Sequence, residues 1–183
     1  MLAACPRHMQ LWILLCSDMA MRSGTAAIIG PEHYDPIRKV ISFTTKMGEK
    51  LTLPTTDEID ALLADCDHSL PMPYVRQIWL RTDGRGLRRG KLPAVPAARL
   101  RVNFQTIRKS LGITRRIKPH DLRRTAAVAM LQHTKDVRDV QALLGHRSLQ
   151  ATIIYLDHDL RPIPRETLEA LKKPVIVRKE KTA

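Results

Sequence analysis

Residues 117–156 read IKPHDLRRTAAVAMLQHTKDVRDVQALLGHRSLQATIIYL, and their punctuation divides them into three helices. Pro119 stands at an early helical position, where its missing N–H costs nothing, and opens a helix over 120–133. Val137, Val140, Leu143 and Leu144 form one apolar stripe in a second helix, 136–144, closed by Gly145. Ser148 is the N-cap expected for a third, 149–157.

Three short helices in a row carry unusual polar side chains. His120 and Arg123 are three apart, so on a helix they point at the same object. A guanidinium forks onto the non-bridging oxygens of a phosphodiester, and an imidazole moves a proton near neutral pH. Taken singly the features are bland: a His-x-x-Arg pair is usually a solvated face, Gly145-His146 is a helix end, and Tyr155 reads as a half-buried core aromatic.

Outward from this stretch, 183 residues with 44% apolar content suffice for one core. Lysine and arginine number 31 against 18 acids, a formal charge of +13, which favours polyanions: nucleic acid first, an anionic membrane second. Cys5, Cys16 and Cys66 are unclustered, so neither a disulfide framework nor a zinc knuckle is expected. Leu2-Ala3-Ala4-Cys5 imitates a lipoprotein box, but no signal peptide precedes it. The apolar run from Leu11 to Cys16 is too short to span a membrane.

Met9, Leu11, Trp12, Leu14, Leu15, Met19 and Met21 predict a buried first helix over 8–22. Alternation from Lys39 through Thr45, a turn at 46–50 and the return of Leu51-Thr52-Leu53 predict a β-hairpin. Thr56 with Asp57 and Glu58 starts a helix ending near His68, Phe104, Ile107 and Leu111 mark one over 102–111, and a last is expected over 165–173. Residues 69–101, rich in Pro and Gly, read as the least ordered part. The fold class is mainly α with a small antiparallel β-sheet (α+β): one domain over 1–173, core about 8–171, then a basic tail over 174–183.

The ordered set is more specific than its parts. His-x-x-Arg at His120 and Arg123, then Leu-Leu-Gly-His ending at His146, then nine residues to Tyr155, resembles the C-terminal catalytic domain of the tyrosine recombinases, the phage integrase family. The resemblance implies that fold and a site where Arg22, Lys46 (with Lys50 as the alternative hairpin lysine), His120, Arg123, His146 and Tyr155 surround one scissile phosphate. Tyr155 would be the nucleophile of a 3′-phosphotyrosyl intermediate, Lys46 the acid for the leaving 5′ oxygen, and His120 the proton carrier for Tyr155. His146 would donate to the phosphate, and the two arginines would take the place of metal ions, so no cofactor is expected. The implied partners are double-stranded DNA and further copies of the chain in a homotetramer, with no membrane, in a bacterial cytoplasm, nucleoid-associated or encoded by a mobile element.

Two departures accompany the resemblance. An acid usually follows the first arginine by three residues, where this chain has Thr25. Only about twenty residues precede Arg22, so the expectation is a catalytic domain without the N-terminal core-binding clamp, supplied by a separate polypeptide or accessory protein, missing from a remnant, or dispensed with in a minimal stand-alone form. Arg85, Arg88, Arg89 and Lys91, with Arg124 and Arg147, are the candidate DNA contacts; the loop among them reads equally as a solvated basic segment. Other readings stay open: a DNA-binding protein without catalysis, and a type IB topoisomerase-like nicking-closing enzyme. A metal hydrolase is disfavoured by the scattered histidines.

Overall fold

The helix that begins the chain stops earlier than its apolar run predicts. In the computed structural model, which describes residues 2–45, 48–82 and 94–156, α1 spans Arg7–Ser17 and the next helix, α2, is Ser23–Ile28. The expected single helix over 8–22 is therefore corrected. Ala20, with a left-handed φ of 50°, turns the chain between the two, so Arg22 caps the start of α2 rather than ending the first helix. Within α1 nearly every side chain from His8 to Cys16 is buried, as an almost wholly apolar helix requires. It packs against α3 (Asp57–Leu63), α4 (Tyr74–Thr82) and α6 (Pro119–Thr134).

The hairpin forms where alternation placed it, as β2 (Val40–Thr44) and β3 (Lys50–Pro54), with Ile41 opposite Leu53 and Phe43 opposite Leu51. Ile41 and Phe43 face the core, while Ser42 and Thr52 hydrogen-bond across the other side at 2.7 Å. A short strand the sequence did not announce, β1 (Tyr34–Asp35), completes an antiparallel sheet of order β1-β2-β3.

Thr56 caps α3 as expected, but the helix ends at Leu63, short of His68. The described parts of 69–101, residues 69–82 and 94–101, are more ordered than their prolines suggested. They contain α4, and α5 (Ala97–Ser110) begins five residues ahead of the expected Val102. α4 forms because Tyr74, Val75 and Ile78 bury one stripe against the core. The expected helix over 165–173, the tail, and Lys46, Arg85, Arg88, Arg89 and Lys91 lie outside the described residues.

The three C-terminal helices close as read: α6, α7 (Val137–Leu144) and α8 (Leu149–Leu156). Asp136 caps α7, and Ser148 Oγ accepts from the Ala151 N–H. They gather Ala126, Ala127, Val140, Leu143, Leu144 and Leu156 into a second apolar cluster beside the main core. Among the described residues no helix is long and apolar enough to cross a membrane.

Candidate active site

The two apolar clusters meet at a buried cation. Arg123, 3% exposed on α6, donates one arm of its guanidinium to the Ala20 carbonyl and the other to the Leu144 carbonyl at 2.8 Å. A charge buried this deeply persists only if its donors are satisfied. The left-handed turn at Ala20 and the C-terminus of α7 supply the acceptors. Burial, with Arg22 close by, brings the Arg123 guanidinium down to about 10.

Arg22 stands beside it on a pinned segment. Met21 N–H donates to Leu15 O at 3.0 Å, the Trp12 indole donates to Ser23 O at 3.0 Å, and Ala26 N–H closes on Arg22 O at 2.9 Å. The backbone is thus held from both sides by α1, with Thr25 on the following turn where an acid was expected.

Tyr155 comes to this pair from the last described turn, on α8. Its hydroxyl donates to the His120 carbonyl at 3.4 Å, and its ring meets those of His120 and His146 edge to face, with centroids 5.3 and 5.8 Å away. Burial raises the phenol above its ordinary range, while Arg123, Arg124 and Arg22 pull it back. His120 and His146 are both held below the usual imidazole value, first by burial and then by Arg123 and Arg22. Both shifts favour the uncharged ring.

Gly145, at φ 59°, ends α7 and turns His146 toward the tyrosine. A Cβ there would come within 2.8 Å of Thr45 Cγ2 and 2.9 Å of Leu51 Cδ1, so glycine lets the hairpin lie against the histidine turn. The Gln141 amide donates to His146 O at 2.9 Å, and the fully buried Thr152 hydroxyl contacts His146 Nδ1 at 3.1 Å. Neither Gln141 nor Thr152 was singled out from sequence. The signal for Thr152 was its place three residues before Tyr155, which puts both on one face of α8.

Five of the six expected site residues, Arg22, His120, Arg123, His146 and Tyr155, are thus gathered, and the sixth, Lys46, is outside the described residues. Of the expected DNA contacts that are described, Arg124 lies close enough to favour the Tyr155 anion, and Arg147 pairs with Glu49 at 2.8 Å. A cleft of about 510 Å³ opens from Arg22, His120 and Arg123 toward Arg101, Arg116 and Lys118. Among the described residues no three His, Cys, Asp or Glu side chains are grouped as a metal ion would need.

The phage integrase family model matches residues 1–161. The chain belongs to the phage integrase family. A tyrosine recombinase XerC of Lacticaseibacillus casei (strain BL23) is 31% identical over 145 residues, 68% of this chain and 49% of that one. A tyrosine recombinase of Pseudothermotoga lettingae is 40% identical over 73 residues, 38% of this chain and 24% of that one. In structure the chain is similar to XerA recombinase, with a TM-score of 0.64 at 20% identity over 95% of this chain and 61% of that one. It is also similar to the XerH site-specific recombinase bound to difH substrate, with a TM-score of 0.64 at 20% identity over 92% of this chain and 47% of that one. The fold is that of these recombinases, and the chain spans about a quarter to a half of the length of the two sequence relatives.

Proposed function

We propose that this domain cleaves and rejoins DNA strands through a covalent bond between Tyr155 and a 3′ phosphate, as part of site-specific recombination. The observation that carries this reading is the placement of the Tyr155 phenol beside two arginines and two histidines, of which Arg22, Arg123 and His120 line a cationic cleft. A phosphodiester seated against Arg22 and Arg123 would have its non-bridging oxygens neutralised, and the growing charge of the pentacovalent transition state would strengthen those interactions.

The phenol, ordinarily near pKa 10, must lose its proton as its oxygen attacks phosphorus. In this reading His120, whose surroundings favour the uncharged ring and which is in ring contact with Tyr155, takes that proton. The bond from phosphorus to the 5′ oxygen breaks, and that oxygen leaves as a hydroxyl with a proton from Lys46. His146 donates a hydrogen bond to the phosphate. Attack by a 5′-hydroxyl on the phosphotyrosine reverses the sequence: with the original strand it reseals, with another it recombines. The cations supply the charge neutralisation that metal ions supply in many phosphoryl-transfer enzymes, so the reaction proceeds in chelator. Double-stranded DNA is the substrate, and strand exchange takes place within a homotetramer on two duplexes. Supporting this, the XerH recombinase to which the chain is similar in fold is bound to its difH substrate, and the similar Tn1549 transposon integrase is in complex with transposon right end DNA.

The test is a suicide duplex, nicked so that the released fragment diffuses away. The expected result is a protease-sensitive covalent adduct that disappears in Tyr155→Phe. A chain that binds the duplex but forms no adduct is a DNA-binding protein without this chemistry.

A further inference from the structure

The far end of the cleft is built as deliberately as the near end. Arg108, near the end of α5, is 7% exposed, and its Nη1 hydrogens are shared among three successive carbonyls, Ile113 at 2.5 Å, Thr114 at 3.2 Å and Arg115 at 2.9 Å. Its Nε donates to the Gln105 side-chain oxygen at 3.0 Å, and the Gln105 amide reaches Ile117 O at 2.6 Å. A buried guanidinium is costly unless its donors are filled, so these hydrogen bonds lock the backbone of the segment between α5 and α6.

The locked segment has a direction. The Ile117 side chain packs against the main core, and in extended chain the neighbours of an inward residue point outward. Lys118 is extended, at φ −108° and ψ 158°, and it lines the cleft with Arg116. Arg101 comes to the same wall from α5, one turn before Gln105. Among the described residues no carboxylate lines this cleft, and no ion pair engages Arg101, Arg116 or Lys118. Three such cations at a fixed offset from Arg22 and Arg123 repel one another unless an anion sits among them.

We propose that Arg101, Arg116 and Lys118 form a second phosphate subsite, taking a phosphodiester of the same DNA strand next to the one held by Arg22 and Arg123. Arg108 and Gln105 are positioning residues that fix the arm presenting it. The subsite rests on the reading of the chain as a DNA strand transferase, but its test reads binding rather than cleavage.

The probe is a random-sequence duplex oligonucleotide titrated by fluorescence anisotropy across a chloride series, with Tyr155→Phe as background so that no covalent product forms. Replacing Arg116 and Lys118 together by Ala should lower affinity at least about tenfold and reduce the slope of log affinity against log salt by about 0.9 for each phosphate that is no longer neutralised. Arg38→Ala, an exposed cation on the turn between β1 and β2, should leave the slope unchanged. Arg108→Lys keeps the charge but cannot hold three carbonyls, so it should weaken binding in the same direction although Arg108 is buried; a melting curve checks that it folds. If it does not fold, the Arg116 and Lys118 pair decides alone. An unchanged slope in that pair overturns the subsite and leaves the phosphotyrosine reading standing. A reduced slope in a protein whose Tyr155 form makes no adduct keeps the subsite and removes the enzymatic reading.

Discussion

His146 lies against Tyr155 with one ring nitrogen already engaged. A neutral imidazole has one N–H, and whichever nitrogen accepts a hydrogen bond leaves the proton on its partner. The Thr152 hydroxyl is fully buried 3.1 Å from Nδ1, and the tautomer that the proposed phosphate contact requires, with its proton on Nε2, needs Thr152 as the donor there. Thr152→Val keeps the shape and removes the donor, so adduct formation on the suicide duplex should fall by about tenfold, while Thr152→Ser should retain it. A Val variant at the wild-type rate would show that the hydroxyl is only filling space. The same two histidines tie stability to pH. Folded His120 and His146 lie below their ordinary 6.5, so the unfolded chain binds more protons in the window beneath that value. Stability should therefore hold above about pH 6.5 and decline as pH falls through the depressed values, read as a falling melting temperature between about pH 7 and 5. Replacing both histidines by Gln should flatten that decline.

At the scale of elements, the turn from α7 to α8 is held by what Gly145 lacks. Gly145→Ala would force a left-handed φ on a residue with a Cβ and drive that carbon into Thr45 and Leu51. The expected cost is about 1–3 kcal/mol, measured by chemical denaturation, and a hairpin displaced from the histidine turn. An unchanged midpoint would mean that the hairpin yields freely. The sequence made α6, α7, α8 and the hairpin legible because each carries its own local punctuation, a Pro at an N-terminus, a Gly at a C-terminus, or β-branched alternation. α4 was hidden because the prolines and glycines around it outweigh a nine-residue amphipathic stripe. The early end of α1 was hidden for a different reason: Ala20 turns left-handed where its carbonyl meets Arg123, 103 positions away. No local pattern encodes such a contact. Of the site, the histidines, Arg123 and Tyr155 were legible as an ordered spacing; Trp12, Gln141 and Thr152, which hold that set in place, look like ordinary core or surface residues until the chain is folded.

The whole molecule carries a formal charge of +13, and part of it is concentrated along one cleft that runs from Arg22 and Arg123 to the arm at Lys118. Binding to duplex DNA should therefore weaken steeply with salt, by about three orders of magnitude between ~50 and ~200 mM for ~6 neutralised phosphates. A flat salt dependence would mean that this face does not follow a DNA backbone. The fold places the cations, the histidines and the phenol on three different helices and one turn, and the account depends on their acting together at one phosphorus atom. Peptide mapping by mass spectrometry of the suicide-duplex adduct tests that most directly. The account predicts a nucleotide remnant bonded through its 3′ phosphate to the Tyr155 oxygen, with a 5′-hydroxyl on the released strand. A remnant on any other residue, or a released strand ending in a 5′ phosphate, would contradict it.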